Sequence, residues 1–482
     1  MSPRNTVHLS SALDRSALMG MLAQLKTKRW FPFKSDSIVD ARLVDAVPDT
    51  MGEGESAIVI VDISTTAGGS TIVITPSSMN SGQYSDAVEN GSISSFLSIL
   101  AADDSVSGFS GRIAIRGPYS EEFQSYMKTR PVITPLNVEQ SNSSFTVGDR
   151  YICKVFRRPI SPSNPDFTVP VKLYTKTHFR NIPRPIAQLV HEPEPLLSVA
   201  SIQENVKNDG DYWHYFLELS NDLIGRFTHD GKAVVEDIIE EMTSAVNELA
   251  GTVAEMHRAL LSINDPGFGH ERFTSGDISR IKRKYMDLAS AIRMTSISLS
   301  INGRIYDSID FYELIRNFVD SFDFSPLYKV EKIRFHGDLH LGQLLRTEHG
   351  PVIIDFEGEP LRSESERSGL GCVLKDVAGM TRSIDYALSF YSREDSDLSG
   401  ETRKVSMNMR EVFLRTYFQK SSGLATIPGD FQEFMNTAAY YEVEKAVYEA
   451  NYEMNNRPDW IIIPARALVE TLSGTGSFKK SL

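Results

Sequence analysis

The sequence predicts an α+β protein, strand-rich at its start and helical at its end. Three observations predict it. β-branched runs bounded by glycine and other turn residues recur through the first part of the chain. From about residue 206 the apolar positions recur instead at steps of three and four. In the helical part, the confident strands are short apolar runs that end in acidic residues, around Phe335–Gln343 and Val352–Pro360.

The elements follow in chain order. Leu18 to Leu25 reads as a short helix leading into Arg29-Trp30-Phe31. Ser56 to Ile63, Ser70 to Ile74 and Arg112 to Arg116 read as strands, with turns at Thr66 to Gly69 and Ser77 to Gly82. Pro131 and Pro135 suggest a boundary near 130–137. Ser144 to Val147 and Tyr151 to Phe156 flank Gly148-Asp149-Arg150 and predict a hairpin. A helix near Val169 to Phe179 and strands at Ala187 to Val190 and Leu196 to Gln203 complete this region. Ile238, Met242, Val246, Leu249, Val253, Met256 and Leu260 mark a long amphipathic helix. Further helices are expected near 277–295, 307–320, 376–392, 406–420, 430–455 and 464–472.

Bulk properties narrow the function. The 482 residues are 41% apolar and 23% charged, an ordinary globular composition. That length suits about two to four domains of roughly 150 residues. A net charge of −13 argues against nucleic acid or an anionic membrane as a partner. Cys153 and Cys372 fit no C-x-x-C or Cys/His spacing, so neither a disulfide framework nor a zinc site is expected. With no leader pattern and no apolar run long enough for a bilayer, a cytoplasmic protein is expected.

The chemistry concentrates in the two segments of the helical part. His336-Gly337-Asp338 is followed by Gln343, and Val352-Ile353-Ile354 runs into Asp355. Phosphoryl transfer needs a cation on the phosphates, Mg²⁺ bridging phosphate oxygens, and a carboxylate orienting the attacking hydroxyl. Asp338 suits the orienting role. Gln343 and Asp355 suit Mg²⁺, which prefers carboxylate and amide oxygens and keeps several waters. Glu348-His349-Gly350 can fold the segments into a hairpin. His336 is expected to hold the loop by hydrogen bonds, and His340 at this spacing is a weak zinc signal.

Lys154 lies mid-strand between apolar neighbours, the position from which a strand lysine reaches nucleotide phosphates in protein kinases. The small polar residues from Gln140 to Ser144, Ser143 and Ser144 among them, can cover phosphates with backbone N–H groups. Near the end of the chain, Tyr441, Lys445, Tyr448 and Tyr452 share a helical face, with Glu442, Glu444, Glu449 and Glu453 beside them. Rings that stack on C–H faces and charged groups that bind hydroxyls suit a sugar. The same spacing also fits a stripe packed on the core.

These residues, with Glu139 to Ser144, Lys154-Val155-Phe156-Arg157-Arg158, Asn164-Pro165-Asp166, Gly251 to Leu260, Asp376 to Tyr386 and Arg457-Pro458-Asp459-Trp460, resemble bacterial maltokinases over most of the chain. The Asp-Phe-Glu-Gly-Glu-Pro run and the Arg-Pro-Asp-Trp ending are the specific parts, whereas His-Gly-Asp…Gln is shared with aminoglycoside and choline kinases. The resemblance implies a bilobal, eukaryotic-protein-kinase-like fold: a cap subdomain over 1–133, a strand-rich ATP-binding lobe over 134–206 and a helical lobe over 207–482. It implies ATP and Mg²⁺ as cofactors and transfer to the anomeric hydroxyl of maltose. The maltose 1-phosphate formed would feed α-glucan and glycogen synthesis, with a trehalose synthase as a possible partner. Asp338 would accept the hydroxyl's proton, Gln343 and Asp355 would hold Mg²⁺, and Lys154, Ser143 and Ser144 would meet the nucleotide. Gln203, Glu204 and Val206 would form the interlobe hinge facing adenine. His340, Glu357, Arg382, Glu444, Lys445, Tyr448 and Tyr452 are the candidate acceptor residues.

Two positions depart from the family pattern. Thr168 stands where a glutamate usually pairs the strand lysine, so another acid must support Lys154 or the lobe is arranged differently. Leu339 stands where a tyrosine is expected, beside the acceptor. A glucosamine or other sugar kinase of the same fold is the alternative. A nucleotide-binding scaffold without catalysis is a further one.

Overall fold

The computed structural model describes residues 14–28, 31, 37–48, 57–66, 68–75, 86, 88, 104–136, 142–161, 164–192, 196–229, 235–359, 364–393 and 396–472. Arg29, Trp30, the Ser77–Gly82 turn, Gln140, Ser141 and Pro360 lie outside the described residues. The chain divides into two compact units, residues 1–175 with 182–207, and residues 176–181 with 208–482.

The first unit is built on two antiparallel sheets. Helix α1 (Arg15–Leu25) is capped by the Asp14 side chain, which accepts the Ala17 N–H. Its Leu18, Leu22 and Leu25 pack on the inner residues of β1 (Ile38–Pro48), β2 (Ala57–Thr65) and β3 (Gly68–Ile74), a three-stranded sheet in that order. Then come β4 (Ser105–Ser107), β5 (Arg112–Arg116), α2 (Ser120–Met127), β6 (Ile133–Leu136), β7 (Ser143–Val147), β8 (Tyr151–Ile160), α3 (Pro165–Lys176), β9 (Pro185–Glu192) and β10 (Leu197–Glu204). The strands form one seven-stranded sheet in the order β4-β5-β9-β10-β8-β7-β6.

That sheet crosses the 133/134 division, because β5 pairs with β9. Pro135 lies within β6, and β6 is an edge strand pairing only with β7 among the described strands. Proline is tolerated on an edge, where one side of the ladder needs no donor. Pro135 therefore marks a sheet edge as well as a break in pattern. Fully buried Arg157 of β8 ties the seven-stranded sheet to the end of β3: its Nη1 donates to Thr75 Oγ1 at 3.0 Å and its Nη2 meets Asp86 Oδ2 at 2.7 Å.

The second unit is mostly helical. Its described helices are α4 (Tyr212–His229), α5 (Glu236–Leu261), α6 (Ser275–Arg293), α7 (Ser308–Ser321), α8 (Leu374–Ser389), α9 (Ser396–Lys420), α10 (Phe431–Asn456) and α11 (Ile462–Leu472). A short turn of helix at Glu364–Arg367 precedes α8. The long amphipathic helix expected from periodicity is α5, whose Ile238, Met242, Val246, Leu249, Val253, Met256 and Leu260 are all buried. Capping boxes start α6, at Thr274 with Asp277, and α7, at Asp307 with Asp310. The short strands are β11 (Glu271–Arg272) with β14 (Glu331–Lys332), β12 (Ser298–Ile301) with β13 (Arg304–Asp307), and β15 (Leu344–Thr347) with β16 (Gly350–Ile353). The last is the expected hairpin, closing at Thr347↔Gly350. Helix α8 is buried along nearly its whole length and packs against α4, α9 and α10, so charged residues on it need internal partners.

Candidate functional site

The site grows from the loop between β14 and β15. Asp376, in the first turn of α8, is buried and accepts three donors. Its Oδ1 takes the Gly337 N–H at 2.8 Å, and its Oδ2 takes the His336 N–H at 2.8 Å and His257 Nε2 at 3.0 Å. His257, on α5, meets the Tyr417 hydroxyl of α9 through Nδ1 at 2.8 Å. These partners put the imidazole proton on Nε2, with Nδ1 accepting from tyrosine. Burial pushes the Asp376 carboxyl up, but the hydrogen bonds from His257 and the Gly337 N–H and the nearby imidazoles outweigh it and hold it below the ordinary carboxylate range. The loop is thus clamped from three helices.

The loop's shape needs small residues at two places. Gly337 has φ +93°, a left-handed conformation costly for a side chain. Gly379, on α8, lies so close to the loop that a Cβ would sit 2.2 Å from the Leu339 carbonyl oxygen. Leu339 itself is buried. His336 is buried as well, and its Nε2 meets the Ile354 carbonyl oxygen at 2.9 Å, joining the loop to the end of β16.

Asp338 is half-buried and meets Lys445 Nζ of α10 at 3.2 Å. Lys445 also meets Glu359 at 2.7 Å. Burial alone would push the Lys445 ammonium down, yet Glu359 and Asp338 outweigh it and raise it well above its ordinary value. Past β16, Asp355 adopts φ +65°, a left-handed conformation that Asp tolerates better than most residues. Gln343 Nε2 donates to Asp355 Oδ2 at 3.1 Å, so the expected pair does meet. With the amide nitrogen committed, the Gln343 amide oxygen is the end suited to a cation. One carboxylate and one amide oxygen fit Mg²⁺, which completes its shell with water and phosphate oxygens. Among the described residues no group of three or more His, Cys, Asp or Glu side chains could hold a metal ion.

A cavity of about 320 Å³ adjoins this cluster, lined by Lys445, Tyr448, Glu449, Tyr452, Glu453 and Arg457, with His340, Tyr386, Trp213 and Trp460 opposite. It lies at the small end of the roughly 300–1,000 Å³ typical of ligand pockets. A smaller cavity beside Asp338 is lined by Glu359, Glu444 and Lys445, so Lys445 borders both. His340 Nδ1 accepts the Gly342 N–H at 3.1 Å. Burial pushes the imidazole down, and the nearby Asp338 only partly offsets it, so the neutral ring carries its proton on Nε2 as a donor. Arg457 lies over the Trp460 ring at 4.3 Å and stiffens the outer wall.

Most of the expected acceptor residues are therefore brought together: His340, Lys445, Tyr448 and Tyr452 around the large cavity and Glu444 beside Asp338. Two are not. Glu357 borders neither cavity, and Glu359, two residues on, takes the position against Lys445. Arg382 is buried and committed to Asp385 at 2.5 Å and Glu449 at 2.8 Å, so it does not line the large cavity. Tyr441 also turns inward and is 1% exposed. The sequence reading missed Trp213 and the Asp376 clamp. Trp213 comes from α4, more than 100 positions before the loop, and no local pattern marks it.

In the first unit, Lys154 points away from the face that carries Tyr151, Cys153 and Val155, as strand alternation requires. Its Nζ meets Asp166 Oδ2 at 3.0 Å. Asp166 is held in the first turn of α3, where Asn164 Oδ1 accepts its N–H and Pro165 occupies the opening position. The acid sought in place of Thr168 is therefore Asp166, two residues earlier, and Thr168 instead donates its hydroxyl to the Asn164 carbonyl oxygen. Ser144 pairs with Lys154 across β7 and β8. Ser143 Oγ is engaged by Arg157. Gln203 and Glu204 end β10, and Val206 follows just before the first unit ends at residue 207. Asp166→Asn is expected to cost about 1.5–3 kcal/mol of stability, the worth of a hydrogen bond to a charged group. Urea unfolding of variant and wild type checks this.

Comparison with known proteins adds the fold. No family model matches the chain. The glucosamine kinase of Mycolicibacterium smegmatis is 22% identical over 340 residues, covering 69% of this chain and 78% of that protein. The glucosamine kinase of Streptacidiphilus jiangxiensis is 24% identical over 347 residues, covering 70% and 72%. The structure of a glucosamine kinase in complex with glucosamine, ADP and inorganic phosphate superposes with a TM-score of 0.61 at 17% identity, over 93% of this chain and 98% of that one. This chain has the fold of that kinase. A second crystal form of glucosamine kinase gives a TM-score of 0.60 over 92% and 97% of the two chains. The α+β class expected from sequence is thus met by the fold shared with that structure. No helix among the described residues is long and apolar enough to cross a membrane.

Proposed function

We propose that this protein is an ATP- and Mg²⁺-dependent sugar kinase. The observation that carries the reading is the clamped Asp338, paired with Lys445, at the edge of an aromatic-walled cavity. Asp338 holds an acceptor hydroxyl and takes its proton as that oxygen bonds to the γ-phosphorus and the bridging bond to ADP breaks. Lys445 donates to the same hydroxyl, and Glu359 fixes the lysine. Mg²⁺ held by Asp355 and Gln343 would neutralise charge on the phosphates, and Lys154, supported by Asp166, would bind them. Gln203, Glu204 and Val206 would border the adenine, with Ser143 and Ser144 on the neighbouring strand.

Maltose, phosphorylated at its anomeric hydroxyl, is the acceptor favoured by cavity length. Lys445 to Tyr452 is a rise of about 10 Å along α10 at 1.5 Å per residue, with Trp213 and Trp460 also lining the cavity. That is room for more than one pyranose ring. A second reading, glucosamine, is favoured by the names of the relatives and by Glu449 and Glu453, which suit an ammonium group. Coupled ADP release over a panel of maltose, glucosamine, glucose and N-acetylglucosamine separates the two. Maltose-dependent turnover supports the first and glucosamine-dependent turnover the second. Bound ATP with no sugar-dependent release would favour a scaffold and contradict both.

A further inference from the structure

We propose that Arg382 is a positioning residue for the acceptor, acting through Glu449; this rests on the sugar-kinase reading. Arg382 sits mid-way along α8 and does not line the large cavity. Its guanidinium divides between two carboxylates. Nη1 donates to Asp385 Oδ2 at 2.5 Å, while Nε and Nη2 both donate to one oxygen of Glu449, Oε2, at 3.0 and 2.8 Å. Among the described residues no hydrogen bond reaches the other oxygen, Oε1, and Glu449 lines the large cavity. The arginine fork thus fixes one end of the carboxylate and leaves the other as an acceptor for a ligand hydroxyl or ammonium.

The fork is held in its turn. Asp385 Oδ1 accepts Arg403 Nη1 at 2.5 Å and the Ser406 hydroxyl at 2.6 Å, and Arg403 Nε meets Glu470 at 2.5 Å. Four helices, α8 to α11, therefore meet in one buried charge network, and only Glu449 in this chain of pairs borders the large cavity. A lysine in place of Arg382 would keep the charge but lose the planar fork that orients Glu449. The network explains why an arginine with no access to the acceptor sits among residues that have it.

The test is a double-mutant cycle of Arg382→Lys and Glu449→Gln, read as separate KM values for acceptor and ATP with the full-length protein. Arg382→Lys is expected to raise acceptor KM about tenfold and leave ATP KM unmoved. In the Glu449→Gln background the same change should add little, since the carboxylate it positions is gone. Effects that add fully, or an Arg382→Lys variant with wild-type acceptor KM, overturn the inference. If Arg382→Lys does not fold, Glu449→Gln alone decides, because an unchanged acceptor KM there removes the group being positioned. A wild-type protein that turns over no sugar overturns the kinase reading and this inference together, whereas an active wild type with an indifferent Arg382→Lys overturns only the inference.

Discussion

Asp338→Asn is expected to lower kcat about 10²- to 10⁴-fold, the range for losing a positioned proton acceptor, while the protein stays folded. The amide keeps the size of the carboxylate and can still accept a hydrogen bond from Lys445, but it cannot take a proton from the acceptor. Lys445 retains its 2.7 Å pair with Glu359, so no buried cation is stranded. The effect should fall on kcat with a smaller change in ATP KM, because the nucleotide contacts are assigned to other residues. Circular dichroism and urea unfolding serve as the fold control. A variant with wild-type turnover would remove Asp338 from the mechanism.

Asp376→Asn is expected to cost both stability and rate. Both oxygens of Asp376 are acceptors: Oδ1 for the Gly337 N–H, Oδ2 for the His336 N–H and His257. An amide turns one of them into a donor, and either orientation sets it against an N–H. Leaving a buried donor without its acceptor costs about 1–3 kcal/mol, and urea unfolding reads this directly. The loop that carries Asp338 would lose its anchor, so kcat falls although residue 376 touches no substrate. The pH dependence has a definite sign. The folded Asp376 carboxyl lies below its ordinary value of 3.8, so its stabilisation is present above that value and is lost as pH falls through the lowered one. The Asn variant should lack that part of the acid limb of the stability profile. Equal stability of variant and wild type at neutral pH would show that the clamp does not hold the loop.

Local patterns carried the parts of the molecule that are local. The hairpin from Leu344 to Ile353 was legible because apolar runs flank Glu348-His349-Gly350, and α5 was legible because its period never breaks over 26 residues. The pairing of Gln343 with Asp355 followed from that hairpin. Long-range partners were not legible. Asp376 looks like any acid in a helix's first turn, and only the fold brings it to the Gly337 and His336 N–H groups from about forty positions away. Arg382 has the spacing and charge of a ligand, yet Asp385 and Glu449 consume it. Pro135 was ambiguous for a physical reason, since an edge strand and a linker tolerate proline equally. Thr168 showed that the expected partner of Lys154 was missing, but only the start of α3 showed that Asp166 replaces it.

The most direct measurement is phosphorus NMR of the wild-type protein and Asp338→Asn incubated in parallel with ATP, Mg²⁺ and each candidate sugar. The kinase reading predicts a sugar phosphate resonance growing in step with ADP in the wild-type sample, absent without Mg²⁺, and lost or delayed by orders of magnitude in the variant. ATP that stays intact with every sugar, or a sugar phosphate formed equally well by the variant, would contradict it.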